Sequence, residues 1–177
     1  MDMTVTTPKQ SRTPKIRRAF VVTGQVQGVG FRPAVYRMAE QWGLSGFVRN
    51  TTNGVELEAQ GSKEAVAAFT TQFQNRLTEL APMARIELLS FSDIAPLLED
   101  HEFVIVQSKS SPERDALISP DIATCSACLA DILDSSGRRY HYPFANCTNC
   151  GPRYTIIRDI PYDRSATTMA CFSLCPE

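Results

Sequence analysis

The chain is short of histidine, with two in 177 residues (His101 and His141), and has a single tryptophan, Trp42. No cysteine precedes Cys125. A thiolate nucleophile is therefore not encoded in the first two thirds of the sequence, and no histidine occurs in its first 100 residues. No apolar run approaches the ~20 residues of a membrane span, so a membrane partner is not expected. Residues 1–15 lack the apolar core of a signal peptide. They carry threonine, proline and basic residues and read as a disordered tail. A transit peptide is disfavoured because Pro8 and Pro14 would break an amphipathic helix. Excess positive charge is absent too: Lys and Arg total 18 against 19 Asp and Glu, for a net charge of -1. Without a basic field, sequence-independent nucleic-acid binding is not expected. What remains is ordinary globular composition, 43% hydrophobic and 21% charged.

Ile16–Thr23 reads as a first strand, with Phe20 and Val22 on one side, Val21 on the other and both faces covered. Val35, Met38, Ala39 and Trp42 recur at helical spacing. Pro33 suits the first turn of that helix and Gly43 the position past its end. Leu44–Arg49 is a second strand, and Asn53-Gly54 supplies a hairpin turn. In the third strand Val55, Leu57 and Ala59 alternate with Glu56, Glu58 and Gln60. The two glutamates could pair for acid–base work, but strict alternation favours a solvated sheet face. Ser62 caps a second helix carrying Val66, Phe69, Phe73 and Leu77. Arg85–Phe91 and Phe103–Val106 supply the remaining strands. The order βαββαβ plus a short strand predicts a ferredoxin-like α+β sandwich, an antiparallel sheet with both helices on one face. The apolar periodicity stops at 108–120, a linker rich in serine and proline, and 121–177 holds the cysteines.

Between the first strand and first helix lies Gly24-Gln25-Val26-Gln27-Gly28-Val29-Gly30-Phe31-Arg32-Pro33. A strand that bends through glycines into a helix N-terminus can converge amide N–H groups on an anion, and a guanidinium there can bind phosphate bidentately. The segment lacks the Gly-Lys-Ser/Thr ending of a nucleotide-binding P-loop and the dinucleotide glycine spacing. Spacing alone leaves a plain tight turn with a surface arginine equally open.

Cys125-x-x-Cys128 and Cys147-x-x-Cys150 are two pairs at the separation expected of a four-thiolate zinc site. A single redox pair is the rival, and two pairs in register favour metal. A closed Cys₄ site keeps no open position for substrate, so structural Zn²⁺ is expected, standing in for a core this short segment cannot build. Cysteines clustered without a secretory signal also point to a reducing, cytoplasmic compartment. His141 reads as a packed or surface residue, His101 as part of an acidic loop, and Cys171 and Cys175 as spare thiols.

Taken whole, the glycine segment followed by Gly46-Phe47-Val48-Arg49-Asn50 resembles the acylphosphatase signature over about residues 16–107. The resemblance implies that the amides of Gln27, Gly28, Val29, Gly30 and Phe31 and the side chain of Arg32 hold the phosphate, while Asn50 orients the attacking water. Asp121-x-Ala123-x-Cys125-x-x-Cys128, then Tyr142–Ile156, Pro161-Tyr162-Asp163-Arg164 and Thr167-Thr168-Met169, is similar to the hydrogenase maturation carbamoyltransferases of HypF type. That likeness implies hydrolysis of carbamoyl phosphate as the first step of carbamoyl transfer to the C-terminal cysteine of a maturation partner. It further implies a second finger opened by Cys175 that the sequence does not close, and ATP-dependent transfer domains beyond it. A non-catalytic anion-binding and docking module is the alternative. A nucleic-acid-binding zinc ribbon is a weaker one, because Arg138, Arg139, Arg153 and Arg158 form no dense basic stripe.

Overall fold

A computed structural model describes residues 14–109, 124–143, 145, 147, 150 and 156–173. Most of the expected tail (1–13) and linker (110–120), and Cys175, lie outside the described residues. Five strands, β1 (Lys15–Gln25), β2 (Ser45–Thr51), β3 (Gly54–Ser62), β4 (Arg85–Ile94) and β5 (Phe103–Ile105), form one sheet in the order β4-β1-β3-β2-β5. The first four are antiparallel, and β5 adds to β2 in parallel, so the sheet is mixed. Helices α1 (Phe31–Gln41) and α2 (Lys63–Leu80) pack on it to make the α+β sandwich that the element order predicts.

The core lies between helices and sheet. Phe20, Val22, Val48, Val55, Leu57 and Ala59 of the strands meet Val35, Met38 and Ala39 of α1 and Val66, Phe69, Phe73 and Leu77 of α2. Phe20 stacks on Phe73 at 5.5 Å between ring centroids, and Phe69 meets Phe73 edge-on at 5.3 Å. The Ser62 hydroxyl accepts the Ala65 N–H at 3.2 Å, capping α2, and Gly43 takes a left-handed φ of 59° just past α1.

Three expectations need correction. The outer face of the sheet is not covered at Val21, which is 44% exposed. Second, the acidic face of β3 is not simply solvated: Glu58 binds the buried Arg17 guanidinium at 2.7 Å, and Glu56 binds Arg49 at 2.8 Å. Asp100, from the loop after β4, shares Arg17. Finally, the strands outrun their apolar cores. Lys15, placed in the tail, pairs with Ser62, and Lys109, placed in the linker, donates its N–H to the Asn50 carbonyl at 2.9 Å.

Gly54 closes the β2–β3 hairpin at φ 143°, and a Cβ there would stand 2.2 Å from the Val22 carbonyl oxygen. Backbone cannot yield cheaply to that overlap, and the φ is itself strained for an L side chain. Gly54→Ala is therefore expected to cost about 3 kcal/mol or more, read as a lowered urea midpoint.

Candidate functional site

The glycine segment bridges β1 and α1 and is pinned by side chains that point inward. Val26, Val29 and Phe31 are fully buried, while Gly28 and Gly30 between them stay partly exposed. Gly30, at φ 75°, is the N-cap of α1. Among the described residues, nothing accepts the amide hydrogens of Gly28, Val29, Gly30 or Phe31; the first helical amide to be satisfied is Ala34, bonded to the Gly30 carbonyl at 3.1 Å. Orphan donors at a helix start, backed by the helix dipole, form a positive cradle.

Arg32 stands on the first turn of α1 with 22% of its side chain exposed. Asn50 is fully buried on β2. The fold brings them together: the Tyr162 carbonyl oxygen lies 3.4 Å from Arg32 Nη2 and 3.3 Å from Asn50 Nδ2. The other polar atom of Asn50, Oδ1, is buried with no hydrogen-bond partner. An unpaired buried acceptor is costly, and such atoms in native folds are exceptions that need a reason.

Gln27 enters the site in a way its place in the glycine segment does not suggest. Its side-chain Nε2 donates to the carbonyls of Thr51 at 2.6 Å and Gly54 at 2.8 Å, bolting the loop to the β2–β3 hairpin. Its Oε1 accepts the Tyr162 N–H at 2.9 Å. Two further residues that sequence reasoning assigned no role complete the arrangement. Asp163 binds Arg32 Nη2 through Oδ1 at 2.9 Å, and its other oxygen accepts the Ser108 hydroxyl. No local pattern connects these residues, because 131 positions separate Arg32 from Asp163.

The second cluster surrounds the short helix α3 (Ser126–Leu133). The sulfurs of Cys125, Cys128, Cys147 and Cys150 all lie within 4.8 Å of one another. Their close approaches are 3.6 Å (Cys125–Cys147), 3.8 Å (Cys128–Cys150) and 3.9 Å (Cys147–Cys150). A tetrahedron with ~2.3 Å metal–sulfur bonds has edges of ~3.8 Å, so the four thiols fit a metal ion. The Cys128 backbone holds the Cys125 thiol below its ordinary range by hydrogen bonding, whereas burial pushes the Cys128 thiol up. His141 stays outside this set; it stacks on Tyr140 at 3.8 Å and is exposed.

Known protein families match the two stretches of chain that carry these clusters. The acylphosphatase family model matches residues 18–105, and the HypF finger model matches 124–157. Acylphosphatase from Bacillus subtilis is 35% identical over 89 residues, covering 50% of this chain and 93% of that one. The chain belongs to the acylphosphatase family. Its acylphosphatase domain and finger together correspond to the N-terminal region of the HypF carbamoyltransferases. Carbamoyltransferase HypF of Synechocystis sp. is 50% identical over 155 residues, which is 87% of this chain but 19% of the relative. A crystal structure of full-length HypF in a phosphate- and nucleotide-bound form superposes with a TM-score of 0.85 at 37% identity, covering 94% of this chain and 22% of that one. The chain thus spans about a fifth of the length of these relatives. No helix among the described residues is long and apolar enough to cross a membrane.

Proposed function

We propose that this chain hydrolyses an acyl phosphate, with carbamoyl phosphate as substrate, at the glycine segment. The observation that carries the reading is the convergence of Arg32 and Asn50 on one oxygen atom beside unsatisfied loop amides. That oxygen stands in for a phosphoryl or water oxygen. The amides of Gln27, Gly28, Val29, Gly30 and Phe31, with Arg32, neutralise the phosphoryl group. Asn50 Oδ1 accepts a hydrogen bond from the attacking water, which gives the orphan acceptor its partner. Water adds at phosphorus, the bond to the acyl oxygen breaks, and a carboxylate leaves, here carbamate. An acyl phosphate is a mixed anhydride, so positioning and charge neutralisation suffice, with no covalent nucleophile.

Within the longer HypF proteins the carbamoyl group would pass to the C-terminal cysteine of a hydrogenase maturation partner, through ATP-dependent domains outside this chain. The boundaries that go with this reading are a tail to about 14, the acylphosphatase unit over 15–109, a linker over 110–120 and a metal-binding segment from 121, in the cytoplasm. Cys125, Cys128, Cys147 and Cys150 would hold Zn²⁺, and four thiolates around one ion make it structural rather than catalytic.

The rival is a non-catalytic anion-binding and docking module, favoured by the presence of Asp163 on Arg32. Asn50→Ala separates the two. If Asn50 orients water, kcat falls about a hundredfold or more while KM stays within a fewfold. Absence of phosphate release above background from carbamoyl and acetyl phosphate by the wild type would favour the docking module, and equal kcat in the variant would remove Asn50 from the mechanism.

A further inference from the structure

The segment just beyond the finger match is seated in the proposed phosphate site. Tyr162 brings its carbonyl oxygen between Arg32 and Asn50, and Asp163 lays a carboxylate on the guanidinium. Both are oxygen acceptors, and one is an anion, the same chemistry that a phosphoryl group offers. We propose that Tyr162 and Asp163 are an intramolecular ligand of this site, competing with the phosphoryl group for Arg32 and Asn50 and thereby setting its affinity for phosphate. The inference rests on the functional reading above and adds residues to it.

The segment is built to present these atoms. Pro161 is buried, fixing the segment on one side. The Tyr162 N–H is held by Gln27, the same side chain that bolts the glycine loop to the hairpin, so loop and ligand share one anchor. On the other side the Asp163 carbonyl accepts the Ala166 N–H, tying it into a short 3₁₀ turn over Arg164–Ala166. The Ser108 hydroxyl, arriving from the sheet side, holds the second carboxylate oxygen.

The grip is also weak enough to be displaced. The two bonds to the Tyr162 carbonyl are long, at 3.3 and 3.4 Å, and Asp163 keeps 31% of its side chain exposed. A partly solvated ion pair is worth little, because water competes for both partners. A phosphoryl group brings more charge and more acceptor oxygens, and it can use the loop amides that Asp163 leaves unpaired. The effect is a site that binds substrate but releases inorganic phosphate readily, since the carboxylate retakes Arg32 as the product leaves.

The test is inorganic phosphate binding to the full chain by calorimetry, alongside acyl-phosphate hydrolysis, for wild type, Asp163→Asn and Ser108→Ala. Asp163→Asn keeps the shape and removes the competing charge. Phosphate should bind about threefold to tenfold tighter, the range a partly exposed pair allows, and KM should fall in parallel. Ser108→Ala, which frees one anchor of the carboxylate, should shift affinity the same way by less. Unchanged affinity in both variants, or weaker binding with reduced kcat in Asp163→Asn, overturns the inference; the second outcome would make Asp163 a positioning group for Arg32. The functional reading fails separately, if Arg32→Ala hydrolyses as fast as wild type.

Discussion

Arg32→Ala is expected to lower kcat/KM for phosphate release from carbamoyl phosphate by about a thousandfold or more, in a chain that stays folded. The loss is large because the guanidinium brings a full positive charge to the glycine segment, while the loop amides supply only partial charges. Arg32 is absent from the apolar core, and its ion pair with Asp163 is partly exposed, so truncation should cost no more than about 1 kcal/mol of stability. Arg32→Lys keeps the charge but loses the planar fork, and it should recover only a small part of the rate. Near wild-type hydrolysis by the alanine variant would remove the basis for placing the phosphoryl group here.

The metal cluster should respond as strongly. Wild-type chain is expected to carry about one zinc per chain by elemental analysis, and Cys150→Ser close to none. Cys150 is 1% exposed, and its sulfur contacts those of both Cys128 and Cys147, so its loss opens the set from the inside. Serine oxygen is a poor substitute for a thiolate on a borderline-soft ion. Order around the cluster should go with the ion. Helix α3 has eight residues, too few to persist alone in water, and among them only Cys128 is buried. Amide exchange over 126–133 should therefore accelerate in the variant. Exchange in β1 and α2 should stay slow, because the Phe20–Phe69–Phe73 cluster does not depend on the metal. Retention of metal by the serine variant would refute the four-thiolate assignment.

How much of this was legible beforehand differs between the two halves of the problem. The sandwich could be read because its signals are local. The helical spacing of Val35, Met38 and Ala39, the alternation of Val55, Leu57 and Ala59, and the Ser62 cap each act within a few residues. Strand ends were harder, since Lys15 and Thr51 are polar and join the sheet through partners, Ser62 for the first and Gly54 and Lys109 for the second. Arg17 is buried in spite of its charge because Asp100, 83 positions away, meets it on the outer face. The glycine segment announced a cradle, but it hid what the Gln27 side chain does, because a residue in a backbone motif is read for its amide. Tyr162 and Asp163 carry no local signal of a role at this site. Their approach to Arg32 depends on how the post-finger segment folds back over the loop, and nothing in the neighbourhood of either sequence encodes it.

An anion gripped at the glycine segment by Arg32, with Asn50 alongside, should leave its mark on the loop amides. Titrating isotope-labelled chain with inorganic phosphate and following its amide resonances tests this most directly. Saturable shifts are expected, concentrated at Gly28–Arg32, the Asn50 side-chain amide and the backbone of Tyr162 and Asp163. Shifts absent from those positions, or confined to the open concavity of about 560 Å³ lined by Pro96–Asp100, would contradict it.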